Sequence, residues 1–550
     1  MTQTNDSSSA AHRSFIRKWA SLFVLSLALA IVVIDTTLLN VSLKTIINDL
    51  HTDLHSIQWV ISAYTLVLSA LTITGGRLGD IYGRKEGFMF GAILFAVGSF
   101  VASISWNFWS LLGGESIIEG IGAALMIPAT TSLIVSNFEG RDRAIAFGVW
   151  GAVAGVSAAI GPLFGGFLTT HFSWRWGFRI NVGVVVLLLL GSFLVKDSRD
   201  TTGKIKLDIP GVIVSAIGMI IFVFGLVEAS DYGWWKATQP LTIAGWTVPL
   251  GYLSPVPFLL AAGLLIMWIF LLMEDRREKR DRDPLVSITI FKNRQFFSGA
   301  TATAMSALGM SGLFFAIPVF LQAVRDLDAF DTGVALLPLS VGLLIASPGS
   351  GFLSHKISPK RLIQWGLIVN VVSLVILWYV LSVNATMWTL LPGLFLYGFG
   401  MGMMVSQASN LTLSAVHVSQ TGEASGINAT MRQLGSTLGT ALIGSIFLST
   451  VGNALTNGIR SNAGIPADMK QMLAQKLGGN VSALEFGNPA QMFQSAPQQI
   501  VQAVVSVSHQ AIVDGARISL ICTALMIVIA LLLTLLIPNV KQSEMHAKEE

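Results

Sequence analysis

Apolar stretches of about 20 residues recur along this chain, each long enough to cross a ~30 Å hydrocarbon core as a helix. That repeat constrains the fold more than any other feature. Spans are expected near 18–43, 57–76, 87–106, 109–136, 143–169, 177–196, 209–228, 256–274, 297–323, 332–354, 361–383, 387–412, 422–450 and 513–537, fourteen in all. Of 550 residues, 53% are hydrophobic and 12% charged, about half the charged fraction of a soluble domain. Lipid is therefore the solvent for most of the chain. The first apolar run is too long for a signal peptide, is interrupted by Asp35 and precedes no small-residue cleavage site, so it reads as a retained span. A single Cys excludes an internal disulfide, and no zinc-type ligand cluster is present.

The placement of Lys and Arg sets the orientation. With the N-terminus cytoplasmic, the inner segments hold 24 basic residues and the outer segments 9, while Arg432 lies within a span. A miscounted span would invert this bias partway along the chain. An even number of spans puts both termini in the cytoplasm, in a cell (inner) membrane protein.

The predicted architecture is an all-α polytopic fold. Residues 1–17 form a cytoplasmic tail, and 18–200 a first six-helix bundle. Residues 201–294 hold two extra helices and a charged linker (274–294), 295–537 a second six-helix bundle, and 538–550 a second tail. The outer stretch 451–512 is rich in Gln, Asn, Ala and Gly. It reads as a surface loop with one amphipathic helix (500–512) lying on the membrane face, or as a lid over the substrate path.

Several motifs suggest mechanism. Between spans two and three the chain reads Gly76-Arg77-Leu78-Gly79-Asp80-Ile81-Tyr82-Gly83-Arg84-Lys85. The glycines allow a tight turn and close helix approach, and Asp80 lies near three cations, a cluster able to latch helices together. Gly76, Asp80, Gly83, Arg84 and Lys85 are the candidate latch. The spacing returns in degenerate form at Gly351 to Arg361, with His355 in place of the acid, as an internal repeat would have it. Span five carries Gly155, Gly161, Pro162, Gly165 and Gly166; small residues permit close packing in lipid, and Pro162 removes a backbone hydrogen bond.

These motifs resemble those of the major facilitator superfamily, the span-five motif being typical of its exporting branch. The run Asp35 to Val41, the run Trp174 to Asn181, and Ala424-Ser425-Gly426, Asn428, Arg432-Gln433 and Gly435 resemble signatures of its fourteen-span drug:proton antiporters. The resemblance covers nearly the whole chain and implies two six-helix bundles with two extra helices between them, working by alternating access.

Few acids lie inside the spans, and an intramembrane acid is a functional candidate because burying its charge costs at least ~2.5 kcal/mol. Asp35 is in span one; Glu115 and Glu119 are four apart in span four and share one helix face. Counted from the span ends, the three lie at similar depth in the outer half. If spans one and four are neighbours, as the resemblance implies, the acids meet in one cavity. Like charges sharing a desolvated site cannot all ionise, so the cluster is the candidate proton-coupling site. Glu423, at the inner edge of span thirteen, reads as a plain interfacial residue. The family usually carries an Arg in span four, where this chain has Ser116, so protonation is expected to be distributed over Asp35 and the two glutamates.

Polar and aromatic residues on the spans are the candidate substrate contacts: Asn40, Gln58, Trp59, Tyr64, Gln322, Gln407, Asn410, Asn428, Arg432 and Gln433. Each serves equally well as helix-to-helix glue. The reading is a proton-coupled secondary exporter of small amphipathic, cationic or neutral compounds. It would be driven by the proton gradient with no cofactor or metal, and would act as a monomer in the lipid bilayer without nucleic acid. A dedicated exporter of one lipid, siderophore or metabolite shares these mechanics. A non-transporting sensor or scaffold would carry a signalling domain. An enzyme is not expected, since no phosphate-binding loop or nucleophile arrangement is present.

Overall fold

A computed structural model describes residues 3–52, 54–197, 206–237, 242–243, 246–247, 252–462, 464–466, 469–470 and 498–537. The outer stretch 471–497 and the tail 538–550, which belong to segments named above, lie outside the described residues, as does most of the loop 238–251. Fourteen helices are long and apolar enough to cross a membrane. We number them α1 (Gln3–Asp49), α2 (Leu54–Tyr82), α3 (Arg84–Ser103), α4 (Phe108–Asn137), α5 (Gly140–His171), α6 (Arg175–Gly191) and α7 (Ile209–Val227). The others are α8 (Val256–Glu278), α9 (Arg294–Ala323), α10 (Ala329–Leu353), α11 (Pro359–Val380), α12 (Met387–Leu413), α13 (Thr421–Ser461) and α14 (Gln498–Leu533).

In the first half α1 lies against α5, and α3 against α4 and α6; in the second, α10 and α11 flank α12, and α9 lies against α13 and α14. The extra helices α7 and α8 pair with each other, and α7 rests on α2. A two-residue hairpin, β1 (Thr242–Ile243) with β2 (Trp246–Thr247), lies in the loop between them.

Small residues bring the two halves together in two symmetric places. Gly76 of α2 lies against the backbone of Gly422 and Gly426 on α13, leaving no room for a side chain. Gly351 of α10 lies in the same way against Ala144 and Ile145 of α5. Further along α5, Gly148 and Gly155 meet Ser347 and Leu343 of α10, while Gly161 and Gly165 meet Thr37 and Leu38 of α1. The glycines of the span-five motif therefore serve two contacts, one across the halves and one toward the helix that carries Asp35. Pro162 sits inside a helix that continues past it.

The outer segment differs from the sequence reading. Residues 500–512 do not form a separate helix on the membrane face. They continue α14, whose Ile500 and Val504 are buried in one core with Leu455 and Ile459 on the extension of α13. The apolar stripe found in the sequence has a partner helix, and so has no need of lipid. The linker is likewise ordered. The N–H groups of Leu285 and Val286 donate to Glu274 at 2.6 and 3.1 Å, and that of Ile288 to Glu278 at 2.8 Å. The side chains of Leu285 and Val286 are buried.

Candidate functional site

The acids come from two helices. Asp35 is on α1, while Glu115 and Glu119 lie on a π-helical segment, Leu112–Glu119, inside α4. Gly113 and Gly114 fall in that segment, and Gly114 packs closely on α3 beside Gly98. Glycine lowers the resistance of the chain to leaving α geometry, and π segments of this kind occur often at functional sites. Asp35, Glu115 and Glu119 are 1%, 2% and 0% exposed, and one oxygen of each lies within 4.8 Å of the others.

A short polar relay holds the cluster. Asn181 of α6 donates from Nδ2 to Asp35 Oδ1 at 2.6 Å and to Ser99 Oγ at 3.3 Å. Ser99 Oγ in turn donates to Glu119 Oε1 at 2.7 Å. One oxygen on each acid (Asp35 Oδ2, Glu115 Oε2 and Glu119 Oε2) receives no N–H or hydroxyl donor. In the sequence Asn181 stands out only as part of the Trp174 to Asn181 motif, and Ser99 belongs to no motif. Their signal was a polar side chain in an otherwise apolar span. Ser116, where the family usually has Arg, is fully buried and donates to the Val60 carbonyl of α2 at 2.7 Å. Tyr64 packs on Gly120, one residue past Glu119, with its hydroxyl buried and unpartnered.

The second cluster joins the halves at the end of the molecule that carries the linker. Asp80 of α2 caps α13: its Oδ1 accepts from Gly422 N–H at 3.0 Å and its Oδ2 from Glu423 N–H at 2.8 Å. These are two of the N–H groups that a helix start leaves without partners, and a carboxylate there also meets the positive end of the helix dipole. Arg84 holds the same carboxylate at 3.0 Å. Gly83, at φ 113°, makes the turn between α2 and α3 with a backbone that favours glycine. Lys85 lies apart from this network, over the ring of Phe193. Glu423, read from sequence as interfacial, is fully buried; it pairs with Arg77 at 3.2 Å and accepts the N–H of Ser287 in the linker. Among the described residues, the degenerate repeat has no such cap. His355 is exposed and bonds locally to the Phe352 carbonyl, while Lys360 reaches the carbonyl of Ile537 at 2.6 Å.

The substrate-contact candidates divide. The side chains of Asn40 and Gln58 lie outside the described residues. Trp59 stacks on Phe224 of α7 at 5.7 Å. Gln407 is fully buried and bonds to Ser350 Oγ at 3.2 Å, joining α12 to α10 as helix glue. Asn410 and Asn428 are buried with unpartnered amide atoms, Gln322 is exposed near the end of α9, and Gln433 is half-buried. Arg432 lies over the ring of Trp150 at 5.5 Å.

The family model described as Major Facilitator Superfamily matches residues 25–234 and 213–440. The chain belongs to the Major Facilitator Superfamily. It is thus a multi-pass membrane protein of a transporter family. Among superfamily relatives it is 31% identical to the puromycin resistance protein of Streptomyces alboniger, over 78% of this chain and 82% of that one. It is 27% identical to a multidrug efflux pump of Mycolicibacterium smegmatis, over 92% of this chain and 97% of that one. The solved structure of the proton:xylose symporter XylE shares the superfamily fold, with a TM-score of 0.59 at 12% identity over 98% of this chain and 100% of that one.

Proposed function

We propose that this protein exports small amphipathic compounds, cationic or neutral in the main, in exchange for protons, as a multidrug efflux carrier of the cell membrane. The names of the relatives support the export reading: a puromycin resistance protein, a multidrug efflux pump, and a tetracenomycin C resistance and export protein of Streptomyces glaucescens. The observation that carries proton coupling is the convergence of Asp35, Glu115 and Glu119 within 4.8 Å in a buried site. Three negative charges at that spacing, out of water, repel strongly, so the cluster holds protons and exchanges them when the site opens. The oxygens that receive no N–H or hydroxyl donor can share a proton among the acids or meet a cationic substrate. The proton gradient supplies the energy, without a cofactor.

The charge bias of the loops supports placing both termini and the linker end in the cytoplasm. The contacts of Asp80 and Arg77 with Gly422 and Glu423 support closure of that end in this state. Alternation would break these contacts and open the path inward. The protein is proposed to act as a monomer, with the substrate path between its halves.

The test is transport of a cationic dye in proteoliposomes under an imposed pH gradient, with a sodium gradient as control. Efflux should follow the pH gradient, and Asp35→Asn should abolish that response. Dye movement that ignores the pH gradient would remove the proton claim and leave the exporter claim standing. Wild-type coupling in both Glu115→Gln and Glu119→Gln would show that the glutamates take no part.

A further inference from the structure

An arginine inside a membrane span is costly, and such residues mark pathways or pair with acids. Among the described residues, Arg432 pairs with no acid. It lies well inside α13, nine residues past Glu423, and that acid is already engaged by Arg77 and Ser287. Its guanidinium lies over the indole of Trp150 on α5, 5.5 Å from the ring centre. Met431 and Leu434 on either side pack against the core that contains Trp150, so the pair sits between the two halves and not against lipid.

The stack determines what the guanidinium can do. Lying on an aromatic face occupies the flat side of the group, while its N–H donors point outward in the plane. Among the described residues, Arg432 makes no ion pair and no hydrogen bond, and it is half-buried, so these donors are not taken up within the protein. Trp150 is buried, its own Nε1 without an acceptor; it acts as a fixed brace.

The height of the pair follows from the ladder of contacts. Lys18 of α1 pairs with Asp142 of α5 at 2.6 Å, which fixes the register of these helices at the linker end. From that level Trp150 is eight residues along α5 and Asp35 seventeen along α1. At ~1.5 Å per residue, the backbone level of Trp150 lies about 13 Å from that of Asp35 along the helix axes, toward the linker end. Among the described residues, Arg432 pairs with none of the three acids.

We propose that Arg432, braced by Trp150, is an anion-recognising subsite for the exported compound. It takes a carboxylate, or a comparable delocalised oxyanion, borne on an otherwise apolar or cationic body. The two parallel N–H bonds along one in-plane edge of the guanidinium match a carboxylate's two oxygens. The inference deepens the exporter reading and rests on it. It widens the substrate class to amphoteric molecules, whose basic end faces the acids and whose acidic end faces Arg432.

The experiment uses the full chain and two dyes with one xanthene body: rhodamine B, which bears a free carboxylate, and its ethyl ester, which does not. Binding to purified protein is read by fluorescence anisotropy. In Arg432→Gln, rhodamine B should weaken by about tenfold or more, a loss of ~1.4 kcal/mol, while the ester changes by less than about twofold. Arg432→Lys keeps the charge but loses the fork, and should fall between; if the Gln variant does not fold, this preferential loss of rhodamine B is the readout. Equal losses for both dyes, an unchanged affinity for rhodamine B, or no binding of rhodamine B to the unaltered protein would each overturn the proposal. Efflux of the ester driven by a pH gradient in the unaltered protein tests the exporter reading separately.

Discussion

Arg77 on α2 donates to Glu423 on α13 at 3.2 Å, and both side chains are buried. The same carboxylate accepts the N–H of Ser287, so one acid ties the first half, the second half and the linker together. Removing one partner of a buried pair leaves the other charge unpaired, at a cost of about 3–5 kcal/mol. Arg77→Ala should therefore favour states in which this end is open, and labelling of a cysteine introduced at the buried Ser425 of α13 should speed up by at least tenfold. The double variant Arg77→Ala with Glu423→Gln should recover part of the loss, because no lone charge remains buried. Equal labelling in the single variant and the unaltered chain would remove the latch role.

Gly76 offers a test without charge. A side chain there would meet the backbone of Gly422 and Gly426. Gly76→Leu should keep the halves from closing at this end and reduce net transport by about tenfold or more, a change of ~1.4 kcal/mol or more in the closed state. Gly113, with open space around its Cα, should tolerate Ala with little change.

Glu274 holds two linker N–H groups and is fully buried. Glu274→Ala would leave those donors without partners, each at about 1–3 kcal/mol, and release the linker. Trypsin should then cut at Arg280 and Arg282 several times faster, while the helices remain resistant. An unchanged cleavage rate would mean that Glu278 and the buried Leu285 and Val286 suffice to hold the segment.

Asp49 gives a pH signature. Burial pushes its carboxyl up, but hydrogen bonds from Arg175 and the Trp174 indole, with the Arg175 charge, outweigh this and hold it below the usual carboxylate range. A lowered value means that the contact stabilises the folded state above the ordinary Asp value of about 3.9, and is lost as pH falls through the lowered one. The pair is part-exposed, so its contribution is at most about 1 kcal/mol. Asp49→Asn should lower the melting temperature slightly at neutral pH, read by tryptophan fluorescence, and the difference should vanish in strong acid. A difference that grows on acidification would contradict the assignment.

Much of this protein is legible in its sequence because lipid imposes a one-dimensional rule. Each crossing needs about 20 apolar residues, so the fourteen spans stand out, and acids left inside them are conspicuous. The glycines of the latch and of α5 are equally visible as small residues in apolar runs. Partners are not. That Asp80 caps α13, 342 residues downstream at Gly422, depends on two distant helix ends meeting. That Glu423 is a buried junction and not an interfacial acid depends on the linker folding back over it. The helix at 500–512 had the amphipathic pattern of a surface helix, and only the extension of α13 shows what covers its apolar face. Hydrophobicity and local spacing set which segments enter the membrane. Which polar groups share a buried site is a matter of tertiary packing, because each must find its partner across helices that the sequence does not order in space.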